Sequence, residues 1–193
     1  YGGVIKNKFP LIMSVVELYN LSTKELEDIK GQTAPLFVLA NKGLINEKDF
    51  WNKVSEIAKK TLPQNYIGLS RKIYEKSLIL FPEVIAFVKE LKKMGIKTAV
   101  LSNITEFQSK IIQIKKGYDE FNVVVLSYLE KLAKPESEIY LATSKRLDVK
   151  PEECIFIDDN ESNLLPAKSL GMETVLAKTP NQIIKDVYFI INS

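Results

Sequence analysis

The sequence predicts an α/β fold, a doubly wound parallel sheet with a helical insertion, and three features carry that expectation. After Phe81 short apolar runs alternate with amphipathic stretches, the rhythm of strands joined by crossover helices. Before Phe81 the periodicity is helical throughout, with no run that reads as a strand bounded by turns. Two carboxylates, Asp158 and Asp159, directly follow an apolar run at 154–157, at the strand end where open α/β sheets place their ligands.

The helical part comes first. Ser22 with Glu25 three residues later is a capping-box signal, and Asn46 precedes Phe50, Trp51, Val54, Ile57 and Ala58 at helical spacing. A further amphipathic stretch carries Tyr66, Leu69, Ile73 and Leu80. Next, Pro82 opens and Gly95 closes a helix with Val84, Ile85, Val88 and Leu91 on one face. Strands are then expected at 96–101, 122–126, 154–157 and 173–176, with helices at 105–116, 137–147 and 163–170 between them. The division that follows is a core of residues 1–9 and 81–193 and a helical cap of residues 10–80.

Composition narrows the chemistry. At 193 residues, 46% apolar and 26% charged, the chain is long enough for one core domain plus an insertion. No apolar run approaches the roughly 18 residues of a membrane span, and the start lacks the pattern of a signal peptide, so no membrane partner and a cytoplasmic location are expected. A net charge of +3 with scattered lysines gives no basic patch, so no nucleic-acid partner is expected. Histidine is absent, which removes serine triads built on histidine, Cys/His pairs and imidazole zinc sites. The single cysteine, Cys154, reads as a core residue at the start of its strand. What remains is chemistry by carboxylates, lysine, hydroxyls or a hard metal ion.

Adjacent carboxylates repel unless a cation joins them, and oxygen ligands at a strand end suit Mg²⁺. Taken by themselves, Asp158 and Asp159 read more readily as turn and N-cap residues opening the next helix. Ser102 and Asn103 end the first strand, where a hydroxyl and nearby amides could hold a phosphoryl oxygen; a turn reading serves them as well. Lys134, beside Pro135, lies in the loop after the second strand, where an ammonium could offset phosphoryl charge or simply be solvated. Their order along successive strand ends is what joins them.

That order resembles the haloacid dehalogenase superfamily. Leu101-Ser102-Asn103 is similar to its second motif, Lys134-Pro135 with Glu138-Ile139-Tyr140 to its third, and Phe156-Ile157-Asp158-Asp159-Asn160 with Asn163 to its fourth. The opening Tyr1-Gly2-Gly3-Val4-Ile5 resembles the segment directly after that family's nucleophilic aspartate, which is therefore expected immediately before Tyr1, together with the strand that carries it. The helical stretch matches only in being the insertion expected of a type 1 cap.

The resemblance implies a phosphatase for a small phosphorylated metabolite, a sugar phosphate being one candidate, working through an aspartyl-phosphate. It assigns Mg²⁺ to Asp158 and Asp159, catalysis to Lys134 and Ser102, and substrate binding to Ser102, Asn103, Lys134 and Gly2. Two residues depart from the pattern. Gly2 stands where many relatives carry a second aspartate that protonates the leaving group, which implies slow turnover or a preference for good leaving groups; a branch resembling sugar-phosphate phosphatases also has glycine there. Lys131 stands where a glycine is usual in the loop before Lys134. A binding or regulatory protein on the same fold is the alternative, while dehalogenation is disfavoured by the paired carboxylates.

Overall fold

In the computed structural model the chain is described at residues 2–7 and 11–193, so Tyr1 and the expected boundary at residues 9 and 10 lie outside the described residues. Four helices come first: α1 (Leu11–Tyr19), α2 (Thr23–Asn41), α3 (Glu47–Ala58) and α4 (Tyr66–Ser77). The expected start signals form. Ser22 and Glu25 make a reciprocal capping box on α2, and the Asn46 side chain accepts from the Asp49 amide at the start of α3. Phe50, Trp51 and Val54 of α3 are fully buried with Val15 of α1, and the Phe50 ring meets Phe37 and Trp51 edge-on at 5.3 and 5.2 Å. No helix among the described residues is long and apolar enough to cross a membrane.

Leu80 does not continue α4 as its spacing suggested; the helix stops at Ser77, and Leu80 pairs antiparallel with Lys6. Asn7 is the physical reason. Its side chain donates to the Ser77 carbonyl (2.7 Å) and accepts from the Ile79 amide (2.9 Å), while its own amide donates to the Ile79 carbonyl (2.9 Å). The two chain segments on either side of the helical stretch are thereby held side by side, and the Phe81 amide closes the pairing on the Ile5 carbonyl at 2.8 Å.

Beyond this point strands and helices alternate: α5 (Pro82–Lys93), β1 (Ala99–Ser102), α6 (Glu106–Ile114), β2 (Val123–Leu126), α7 (Ser127–Glu130), α8 (Ser137–Leu147), β3 (Ile155–Asp158), α9 (Glu161–Ser169), β4 (Glu173–Leu176) and α10 (Pro180–Ile191). Both strand pairs are parallel: β1 with β2, Leu101 opposite Val125, and β3 with β4, Ile157 opposite Val175. The expectation of one doubly wound sheet is met as two parallel ladders, and among the described residues no ladder joins β1 to β3. β1 also starts later than expected, because the Ile96 amide closes α5 on the Leu91 carbonyl and the Asn122 side chain takes the Thr98 amide.

Three further details depart from the sequence reading. Cys154 precedes β3 and is half-buried, with its thiol pushed up by burial. The expectation assigned no element after residue 176, yet Thr179 caps α10 and Pro180 starts it, and Ile183 and Val187 enter the core with Tyr188 against Phe87. Lys131, at the glycine position of the loop, adopts glycine's conformation: it ends α7 at φ 59° and ψ 16°, with its ammonium on the Gly43 carbonyl at 2.8 Å.

The left-handed region costs a non-glycine residue roughly 1–2 kcal/mol, so the loop is held against its own preference by its neighbours. Lys131→Gly and Lys131→Ala both lose the bond to Gly43 and differ only in backbone freedom. Urea unfolding is expected to find the glycine variant more stable than the alanine variant by about 1 kcal/mol.

Candidate active site

The strand ends β1 and β3 are joined through one side chain. Lys134 leaves the loop after α7, and its ammonium donates to the Leu101 carbonyl of β1 (3.1 Å) and to Oδ2 of Asp158 at the end of β3 (2.5 Å). It also lies 5.5 Å from the centre of the Phe156 ring. Lys134 is 8% exposed and Asp158 2%, so this is a buried ion pair. Asn103 fixes the lysine's backbone: its Oδ1 accepts from the Lys134 amide and its Nδ2 donates to the Lys134 carbonyl, both at 2.8 Å. The side chain expected to meet substrate is thus engaged in holding Lys134.

Asp158 is satisfied on both oxygens. Oδ1 accepts from the Asn160 amide and from Nδ2 of Asn163, each at 2.9 Å, while Oδ2 faces Lys134. Asn163 is itself held, its carbonyl accepting from the Tyr140 hydroxyl at 2.8 Å. Burial pushes the Asp158 carboxyl up, but the charge and hydrogen bond of Lys134 and the amide of Asn163 outweigh it and hold the group below the usual carboxylate range. The turn reading of this segment also holds in part, since Asn160 caps α9 by accepting from the Ser162 amide.

Ser102 ends β1, buried, next to Asn103. Asp159 lies against Gly3 of the opening segment. Gly3 has φ +77°, and a Cβ there would stand 2.5 Å from Cγ of Asp159, so only glycine lets the backbone approach this carboxylate. Among the described residues no third acidic, cysteine or histidine side chain joins Asp158 and Asp159. A cavity of about 220 Å³ opens between the helical segment and α6, lined among others by Asn46, Glu47, Thr105, Glu106 and Lys131; none of the predicted site residues lines it.

One charged residue escaped the sequence reading. Lys6, 5% exposed, extends beside Gly2, where a Cβ would lie 3.6 Å from Nζ. Its ammonium donates to the Asn7 carbonyl at 3.0 Å and sits 5.5 Å from the centre of the Tyr74 ring of α4. Burial lowers its pKa to about 8, against the opposing charge of Asp159. Nothing in the sequence around Lys6 distinguishes it from the other lysines. Only the bridges from Lys6 to Gly2 and Leu80 bring it inside.

The model of the haloacid dehalogenase-like hydrolases matches residues 4–171. The chain belongs to that family. It is 33% identical over 141 residues to mouse "Acyl-CoA dehydrogenase family member 10", covering 72% of this chain and 13% of that protein. Over 174 residues it is 27% identical to the sesquiterpene phosphatase astK of Aspergillus oryzae, covering 89% of this chain and 83% of the relative. Among solved structures, the magnesium complex of the HAD family enzyme bt-2542 from Bacteroides thetaiotaomicron superimposes with a TM-score of 0.74 at 25% identity, over 92% of this chain and 89% of that one. Membership in this family of α/β hydrolases gives the two parallel ladders and their flanking helices their common plan.

Removing one member of a buried ion pair strands the other charge, at a cost of about 3–5 kcal/mol. Lys134→Met is expected to lose that much in urea unfolding at pH 7, and Lys134→Met with Asp158→Asn to lose less than the two single losses added. The sign with pH follows from the depressed carboxyl. Its stabilising contribution is present above the ordinary carboxylate value of about 3.9 and is lost as pH falls through its lower folded value. In Lys134→Met the acid loss should begin at higher pH.

Proposed function

We propose that the chain acts as a magnesium-dependent phosphohydrolase on a small phosphorylated metabolite, a sugar phosphate being one candidate, with the helical stretch of residues 10–80 as a cap over the site. The observation that carries this reading is the buried Lys134–Asp158 pair at the strand ends that also carry Ser102 and Asp159. A buried, immobilised ammonium paired with the first of two adjacent carboxylates suits a reaction in which phosphoryl charge must be neutralised without solvent. Membership in a hydrolase family and the likeness to a phosphatase support it.

The donor set fits Mg²⁺. The carboxylates are adjacent, the chain has no histidine, and Mg²⁺ takes one or two carboxylates with waters and substrate oxygens. Asp158 already accepts three hydrogen bonds, so Asp159 is the better direct ligand and Asp158 the residue that fixes Lys134. When bound, the ion would draw off charge from the phosphoryl oxygens. The nucleophile would be the aspartate expected immediately before Tyr1, with attack in line on phosphorus and an aspartyl-phosphate as the product of the first step. Lys134 would hold the nucleophile and a phosphoryl oxygen at fixed charge, and the Ser102 hydroxyl would donate to a second oxygen. Asn103 and Asn163 would keep Lys134 and Asp158 from relaxing as charge moves.

The test uses the protein carrying that aspartate, assayed on p-nitrophenyl phosphate and on small sugar and alkyl phosphates. Hydrolysis should require Mg²⁺ and disappear in EDTA, and Asp159→Ala should cost at least about 100-fold in rate. Full activity in EDTA would overturn the metal assignment. Magnesium binding in calorimetry with no hydrolysis of any ester would favour a binding protein on this fold.

A further inference from the structure

Lys6 carries a charge into a place where little else explains it. It lies on the opening segment, yet its ammonium is enclosed between Gly2, the Tyr74 ring of α4 and the field of Asp159. Among the described residues the ammonium donates to the neighbouring Asn7 carbonyl, at 3.0 Å. A lysine serving only as packing would send its ammonium to water, as long basic side chains normally do. Here the backbone turns it inward, because Lys6 is bridged on one side to Gly2 and on the other to Leu80, and the Gly3 amide donates to the Lys6 carbonyl at 2.7 Å. Its Nζ packs beside Gly2, where a Cβ would stand at an ordinary contact distance of 3.6 Å.

The position has a direction. The Gly3 backbone lies close against Asp159, and the Lys6 ammonium lies beside Gly2 and 5.5 Å from the Tyr74 ring of the helical segment, so Lys6 stands between the carboxylate and the helices. A phosphate ester bound at Asp159 would have its phosphoryl group at the carboxylate and its organic group toward the helices. The bridging oxygen lies between. We propose that Lys6 is a further substrate-contacting residue of the phosphohydrolase reaction inferred above, holding the bridging, leaving-group oxygen of the ester by charge and hydrogen bond. As the P–O bond to the leaving group breaks, its electron pair stays on that oxygen. The ammonium stabilises the negative charge as it develops and passes a proton to that oxygen, so the leaving group departs as an alcohol. Lys6 regains a proton from the water that then hydrolyses the aspartyl-phosphate. This gives poor leaving groups a stabiliser at a site where Gly2 offers none.

The inference rests on the phosphohydrolase reading, and leaving-group dependence separates the two. The protein with the aspartate before Tyr1 is compared with Lys6→Met and Lys6→Gln on ethyl phosphate and p-nitrophenyl phosphate. Lys6→Met is expected to lose roughly 100-fold in kcat/KM on ethyl phosphate, the scale of one lost transition-state donor, and less than about 10-fold on p-nitrophenyl phosphate, whose leaving group carries its charge unaided. Lys6→Gln, which keeps a neutral donor, should fall between. The midpoint of thermal unfolding is read for each variant beside the kinetics, so that a loss of folded protein is not counted as a loss of rate. Should Lys6→Met fail to fold, the same two-ester comparison on Lys6→Gln decides. Equal losses on both esters, or none, overturn the role of Lys6 and leave the phosphohydrolase reading standing. A wild-type protein that hydrolyses neither ester overturns both. A Lys6→Met variant that binds Mg²⁺ more tightly and loses the two esters in parallel would make Lys6 a counter-charge to Asp159, and would also overturn the inference.

Discussion

Lys134 and Asp158 meet with almost no water around them, and the rest of the site depends on that contact. Taking an ammonium and a carboxylate out of solvent costs several kcal/mol for each ion, and their attraction repays it only when their remaining hydrogen-bonding positions are also filled. The sequence fills them from four places. Leu101 offers its carbonyl, Phe156 its ring face, and Asn160 and Asn163 donate to the far oxygen of Asp158. Asn103 adds nothing to either charge but clamps the peptide that carries Lys134. The pair also does mechanical work. β1 and β3 share no ladder among the described residues, and one ammonium touching both strand ends ties the two parallel pairs together.

A second set of contacts fixes the helical segment relative to these strands. At its base Asn7 pairs with Ser77 and Ile79, so its two connections run side by side. At its other side Ser127 donates to the Asn41 carbonyl at 2.5 Å, Lys42 pairs with Glu136, and Lys131 reaches Gly43. The strained backbone of Lys131 belongs to this second set. A glycine there would relax the turn but could not reach across to Gly43, so the residue trades backbone comfort for a contact between the segments. Glu136 also accepts from the Ala133 amide at 3.1 Å, one residue before Lys134, so the loop that presents the buried lysine touches the helical segment as well.

Much of this was legible in the sequence because it is encoded locally. The Ser22–Glu25 box, the Asn46 cap, the apolar run of β4 and the span of α8 each follow from residues within a few positions of one another. The placing of Ser102 and Asp158 at strand ends was legible too, since it needs only the strand pattern and the rule that loops at one end carry the ligands. What was not legible is set by partners far along the chain. Leu80 leaves the helix because Asn7, some seventy residues earlier, takes the Ser77 carbonyl and the Ile79 amide. Asn103 faces Lys134 only because the loop after α7 folds back on β1. Lys6 reads as one more solvated lysine until Leu80 and Gly2 draw its strand inward.

Glycine and lysine divide the opening segment between them, and the division explains its sequence. Gly3 must be glycine because Asp159 occupies the space where a side chain would go, and its φ of +77° turns the chain sharply enough for Gly3 to bond the Lys6 carbonyl. That turn brings residue 6 back beside residue 2. A Cβ at residue 2 would stand in ordinary contact with Nζ of Lys6, at 3.6 Å, so the cation carried from residue 6 packs against the place where a side chain at residue 2 would begin. Residues 2, 3 and 6 thus set the lysine beside the backbone that approaches Asp159.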